Sequence, residues 1–408
     1  MATIVDRYRD AARRRRRRAE RANQRLDIQG LRMVAVLAVF AHHLWDWPRS
    51  GFVGIDVFFV VSGFLVTTSL LTSDTPATLT SFYWNRLRRI VPVAAVVLLA
   101  TYVASALVLT PAQARATGTD AVFAFFGVAN WRFAVDGTGA SPVAHFWALS
   151  VAEQFWLVWP LLLLAVGVLA ARKAHITTAA VLTVASFGWA LYQTASDPAL
   201  AYLDTFARLW ELGVGALLAM AAAQLARVPP AVKPLLSWAG LLLVGASVFV
   251  VPAAGFPAPW ALLPVAGAAL VLAAGVGGEP RFQPLLDNRV STYVGDLSYA
   301  LFLVHWPVIV ILAALMDRGP YFDICVLAFA FGLAVACHHF VETPLRRASK
   351  EAFRQARKDL QHGVFQVEHR TKAAAVGALV LIAVGLCAFA ARPDAYAPHT
   401  TTVVSEGL

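Results

Sequence analysis

The stretch RMVAVLAVFAHHLW, Arg32 to Trp45, is apolar through its middle, yet it begins on an arginine and ends just after two histidines. Extended back to Ile28, the run is long enough to enter a bilayer, since a span needs about 20 apolar residues. Ionisable groups at membrane depth are costly and usually face a protein interior or a wet cavity. On a helix, the step from Arg32 to His43 is roughly three full turns, or about 16 Å along the axis. Both side chains therefore fall on one face, with His42 turned about 80–100° away. One rod thus holds a cation near one membrane surface and an imidazole near the other. Two readings stay open here: a snorkelling arginine with interfacial histidines, or an intramembrane functional pair.

The rest of the chain has the same character. Of 408 residues, 59% are hydrophobic and 14% charged, against roughly 25% charged in soluble domains. The composition predicts an all-α polytopic membrane helical bundle. Apolar runs place ten core spans near 28–47, 52–72, 90–111, 150–171, 176–194, 205–226, 235–251, 259–276, 293–315 and 322–341, with an eleventh at 373–391. Segment 119–134 is apolar but short. If it does not cross and the N-terminus is cytoplasmic, 28 of the 34 Lys and Arg fall inside. A crossing there would put the basic loop 341–372 outside, against the positive-inside rule. Residues 112–149 are therefore expected to form one external region with room for a re-entrant hairpin.

The organisation that follows is a basic cytoplasmic tail at 1–25, a membrane core at 26–348, a cytoplasmic linker helix at 349–372, the extra span at 373–391 and an extracytoplasmic tail at 392–408. The first apolar run begins only near Ile28, so no cleavable leader is expected at the start. Net charge is +10, and six consecutive arginines, Arg13 to Arg18, carry much of it. Beside a span and without interleaved aromatics, they suit anionic lipid of the bilayer better than nucleic acid. Cys325, Cys337 and Cys387 all lie in apolar runs without ligand spacing. Core packing is expected of them, and neither a disulfide framework nor a metal site.

Polar residues inside the spans mark the candidates for chemistry. In GFVGIDVFFVVSGFLVTTSLL (Gly51 to Leu71), Asp56 is expected at about the depth of His43, where a carboxylate could orient the imidazole and raise its basicity. Deeper in that span, Ser62 and Gly63 suit close helix packing or a substrate contact equally. In FYWNRLRRIVP (Phe82 to Pro92), Arg86 and Arg89 lie one turn apart on one face. Such a pair serves as a membrane anchor, or as a phosphate clamp for a ligand arriving from the cytosol. HFWALSVAEQFWLVWP (His145 to Pro160) carries Glu153 and Gln154 at a helix start, where a carboxylate also suits the helix dipole. RLWELGVG sets Arg208 and Glu211 at ion-pair spacing. GDLSYALFLVHWP (Gly295 to Pro307) buries His305 mid-span, where it needs a partner. VETPLRR (Val341 to Arg347) closes the tenth span with Glu342 and two arginines.

Taken together, in this order and on ten spans, these stretches and LDIQGLR resemble the acyltransferase 3 family of bacterial integral-membrane O-acyltransferases, over roughly residues 26–348. The resemblance implies transfer of an acyl group, usually acetyl, from cytoplasmic acyl-CoA (acetyl-CoA) to a hydroxyl of an extracytoplasmic glycan or glycolipid, in the bacterial plasma membrane. It carries the essential first-helix pair to Arg32 and His43, the inner arginine motif to Arg86 and Arg89, and the fourth-span carboxylate to Glu153. The family commonly has two adjacent acidic residues before the glutamine, and here the first is Ala152. One step turns a helix by about 100°, so Glu153 does not simply replace that carboxylate. LDIQGLR and the eleventh span also resemble the subgroup with an external SGNH-type hydrolase domain. After Arg392 only a short tail follows, which leaves a separate SGNH-type partner or a truncated chain as expectations.

The mechanism expected has Arg86 and Arg89 holding the CoA phosphates, Arg32 binding the CoA portion or supporting the channel, and His43 as general base or transient acyl carrier, oriented by Asp56. A proton-coupled transporter or flippase using Arg32, His43 and Asp56 as a relay is the alternative, and a noncatalytic assembly partner is a third.

Overall fold

In a computed structural model of the chain, residues 25–71, 79–169, 173–280, 282–347, 376–382, 384 and 387 are described. Among the described residues the regular elements are helices, with no strand. In chain order the helices are α1 (Leu26–Trp45), α2 (Gly54–Leu71), α3 (Leu79–Val108), α4 (Pro111–Phe125), α5 (Ala129–Asp136), α6 (Phe146–Leu169), α7 (Lys173–Ser196), α8 (Pro198–Leu203), α9 (Thr205–Met220), α10 (Ala222–Leu225), α11 (Lys233–Val250), α12 (Leu262–Ala274), α13 (Pro284–Asp287), α14 (Arg289–Ala313) and α15 (Pro320–Ala336). A π-helical turn, Cys337–Glu342, continues α15 into α16 (Thr343–Arg347).

Ten of these occupy the ten expected core spans. Among the described residues, eight helical segments are long and apolar enough to cross a membrane, as judged by length and composition. The other two, α9 and α12, have 16 and 13 residues, so each rises less than the hydrocarbon thickness of about 30 Å. The chain is thus an all-α polytopic membrane protein. The apolar stretch 119–134 does not form one long helix. It is divided between α4 and α5, broken at Gly127, where φ is +69°.

Local sequence explains where helices start. Arg25 pairs with Asp27 at 2.6 Å and donates to the Leu272 carbonyl at 2.9 Å, fixing the start of α1 to the end of α12. Asp27 also lies in the first turn, where a carboxylate suits the helix dipole. Asp204 caps α9 by accepting from the amides of Phe206 and Ala207, and Asn288 caps α14 in the same manner. Thr110 and Gln113 form a capping box on α4, with Pro111 at its first position.

Two interfaces hold the centre. α2 packs on α9 so closely that a Cβ on Gly63 would strike the Leu212 backbone, and one on Gly215 would strike that of Val60. Small residues permit this approach. α14 packs along α1 and against α15. Of the expected eleventh span, residues 376–382 are helical, with Ala378 buried against Leu297 and Val335. The tail 1–24, the linker 349–372 and the tail 392–408 lie outside the described residues. Cys325 and Cys337 are buried as expected, whereas Cys387 is exposed.

Candidate active site

The first helix keeps its two chemistries apart. Near its start, Arg32 is buried and donates to Gln29 Oε1 at 3.1 Å. Its side chain lines a cavity of about 540 Å³ shared with Arg86 and Arg89 of α3. Two helices thus present three guanidinium groups to one space, with Asn85, Ser62 and Ser298 as polar neighbours. Arg89 is also 4.0 Å from Glu342, which accepts from His338 Nδ1 at 3.0 Å. The remaining wall is apolar, including Phe58, Phe59, Trp156 and Phe302. A cationic entrance with an apolar interior fits a ligand that has phosphates at one end and an uncharged arm at the other.

Near the end of α1, His43 is partly exposed, and its Nδ1 lies 2.9 Å from Nε2 of His305 on α14. His305 is fully buried. Its Nδ1 donates to the carbonyl of Phe302 at 2.7 Å, and that of Leu301 lies at 3.2 Å. The partner that a buried mid-span imidazole requires is therefore His43. A third ring, His145 just ahead of α6, stands 5.3 Å from His305 and donates from Nε2 to the Leu303 carbonyl at 3.0 Å. In the sequence His145 carries no signal beyond its place just outside a helix start. The group is not a metal centre: among the described residues, no cluster of His, Cys, Asp or Glu could hold a metal ion.

His43 is not on the wall of the arginine-lined cavity. The link is Phe302, which lines the cavity and has its ring 5.7 Å from that of His305 and 5.4 Å from that of His145.

The expected pairing of Asp56 with His43 does not form. Asp56 accepts from Arg208 Nη2 at 2.7 Å. Arg208 Nε is 3.2 Å from Glu211 Oε1, so the ion pair expected from the sequence spacing is present and Asp56 joins it. All three side chains are fully buried. Rings of Phe59, Trp147, Tyr202 and Phe256 surround the guanidinium at 5.2–5.7 Å. The reason is the depth of the turn. Gly54 at the start of α2 already lies against Ala35 and Val39, so Asp56 begins at least one turn, about 5.4 Å, below His43.

Glu153 faces away from the arginines. It lines a second, apolar cavity of about 1020 Å³ bounded by α3 to α7 and α9, while Ala152 lines the arginine-lined one. Trp156 belongs to both walls, so α6 is the partition. The Glu153 carboxylate rests against Gly127. Gln154 ties α6 to its neighbours, donating to the Gly127 carbonyl at 2.8 Å and to Asn130 Oδ1 at 2.9 Å. Ser62 lines the arginine-lined cavity, and Gly63 packs on α9.

Comparison with known proteins follows the same boundaries. Residues 25–339 match the Acyltransferase domain, Acyl_transf_3. The chain is similar to YrhL of Bacillus subtilis (strain 168), at 32% identity over 80% of this chain and 55% of that protein. It is 30% identical to the peptidoglycan O-acetyltransferase OatA of Listeria monocytogenes, over 78% of this chain and 55% of that one. The O-acetyltransferase OatA of Staphylococcus aureus is 28% identical, over 80% and 58%. The chain thus spans about half the length of the curated relatives it matches. No solved structure matches. The domain match covers the helices that carry both the arginine-lined cavity and the histidine pair, and the chain belongs to the acyltransferase 3 family.

Proposed function

We propose that this protein is a membrane O-acyltransferase, moving an acetyl group from cytoplasmic acetyl-CoA to a hydroxyl of a cell-wall glycan, with peptidoglycan as the first acceptor to test. The observation that carries this reading is the two-ended α1: Arg32 joins Arg86 and Arg89 on one cavity, and His43 joins His305 toward its other end. The names of the similar proteins supply the acceptor class.

In this reading the arginines hold the CoA phosphates at the cytoplasmic mouth, because guanidinium binds phosphate bidentately. The pantetheine arm follows the apolar wall toward Phe302, beyond which the histidines stand. A thioester is already activated, so the protein must place it, deprotonate the acceptor and stabilise the developing oxyanion. His43 takes the proton of the acceptor hydroxyl as its oxygen bonds to the thioester carbonyl carbon. The carbon–sulfur bond then breaks, and the proton passes to the CoA thiolate. Glu153, on the other side of α6, does not touch the thioester. The protein lies in the bacterial plasma membrane with its N-terminus in the cytoplasm, as the distribution of Lys and Arg favours. An extracytoplasmic SGNH-type protein is a candidate partner for delivery to the acceptor.

The test is incubation of the purified protein in liposomes with radiolabelled acetyl-CoA and peptidoglycan fragments. Label is expected on the glycan, and it should be absent with His43→Ala at unchanged folded yield. Glycan O-acetylation retained by His43→Ala would reject the base. Glycan movement without any acetyl transfer would support a flippase instead.

A further inference from the structure

We propose that His305 is a positioning residue that fixes the tautomer of His43, leaving Nε2 of His43 as the nitrogen that receives the acceptor's proton. This rests on the reading of His43 as general base. It starts from the fact that a carbonyl only accepts. The carbonyls of Phe302 and Leu301 both lie within reach of His305 Nδ1, so that nitrogen bears a hydrogen. In a neutral imidazole the other nitrogen is then an acceptor. That nitrogen, Nε2, faces His43 Nδ1 at 2.9 Å. His43 Nδ1 must therefore donate, and the lone pair of His43 is left on Nε2.

Ring geometry agrees with a directed bond. The two ring planes differ by 12° and their centroids are 5.2 Å apart. With the nitrogens 2.9 Å apart, the rings lie edge to edge, and the contact runs along the line between their centres. That is the direction of the acceptor's lone pair. The anchor is also rigid: His305 is fully buried on α14, and α14 packs along α1. Trp306, the next residue, donates to the Ser141 carbonyl at 3.0 Å and sets its ring 4.8 Å from that of His43. His43 itself is partly exposed, and its hydrogen bond runs through Nδ1. A second imidazole thus does here what Asp56 was expected to do. It also gives the proton on His43 Nδ1 a neutral acceptor when Nε2 becomes protonated.

The test compares His305→Gln, His305→Asn and His305→Leu in acetyl transfer, with His43→Ala beside them. The Gln amide oxygen extends about as far as the imidazole Nε2 and can accept from His43. The Asn amide extends only as far as Nδ1, so it can bond the Phe302 carbonyl but cannot meet His43. The expected result is a loss of about 10²-fold or more in kcat for Leu and Asn, with KM for both substrates within about 3-fold, and recovery to within about 10-fold for Gln. Equal activity of Asn and Gln would overturn the proposal, because a merely structural role is served by either. So would a folded Gln variant as inactive as Leu. If the Leu variant does not fold, the Gln and Asn pair still decides. Full activity of all three His305 variants beside an inactive His43→Ala sinks this proposal alone, whereas an active His43→Ala sinks the base and this proposal with it.

Discussion

At Arg208, Asp56 and Glu211 the fold places three ionisable side chains where no water reaches them. Taking charges out of water is costly, and breaking such a cluster by removing one partner typically costs about 3–5 kcal/mol, because the remaining charge is left uncompensated. Arg208→Met should therefore lower stability by about that amount, read as the thermal unfolding midpoint in detergent. Asp56→Asn should cost less, since the amide oxygen still accepts from the guanidinium. Equal midpoints for Arg208→Met and wild type would remove the cluster from the account of stability. In the proposed function the arginines of the first cavity act in binding the donor. Arg86→Ala should raise KM for acetyl-CoA by about 10-fold or more, as expected from a lost charged hydrogen bond of about 1.5–3 kcal/mol, and leave the acceptor KM unchanged. Equal losses for donor and acceptor would make Arg86 a structural residue. Of these partners, the Arg208–Glu211 spacing was legible on one helix face. Asp56 stands 152 residues from Arg208, and no local pattern joins them.

Among the elements, the contact of α2 with α9 is the tightest constraint on the site, because α2 carries Asp56 and the cavity residues Phe58, Phe59 and Ser62. Gly63 and Gly215 make the contact possible: an added Cβ would meet main-chain atoms of the facing helix, which cannot swing aside as a side-chain tip can. Gly63→Ala should destabilise by about 1–3 kcal/mol through overpacking and should reduce transfer by displacing the cavity wall. Gly245 on α11 is the control, since a Cβ there meets nothing within 4 Å. Gly245→Ala should be neutral or stabilising by up to about 1 kcal/mol, the gain expected for alanine over glycine in a helix. Thermal midpoints of the two variants check both statements. A Gly63→Ala midpoint at or above wild type would show that the helices can separate at no cost.

For the whole molecule, the proposed function requires that the arginine-lined cavity open toward the cytoplasm. α4 and α5 together cover the stretch 111–136 without forming a long span, and the distribution of basic residues predicts that this stretch is external. A single cysteine at Gln113 should be labelled by an impermeant maleimide in intact cells, and one at Gln224 only after permeabilisation, in a background with Cys387 replaced. The reverse pattern would put the arginine-lined cavity on the wrong side for a cytoplasmic donor. Both sites are exposed in the structure, so labelling reads the side of the membrane rather than burial.

The sequence by itself determined that this is a helical membrane protein, where its ten core helices lie, and that Arg32, Arg86 and Arg89 are cations at span ends. These properties depend on hydrophobicity and charge within one turn or one run, which the chain displays locally. Only the tertiary structure decided which groups meet. It paired His43 with a histidine 262 residues away, gave Asp56 to Arg208, and turned Glu153 to the far side of α6 from Ala152. Such choices follow from helix depth and rotation, which are set by backbone contacts such as Gly54 on Ala35 and Gly63 on Leu212. A shift of one turn or one residue in those contacts would give each polar group a different partner.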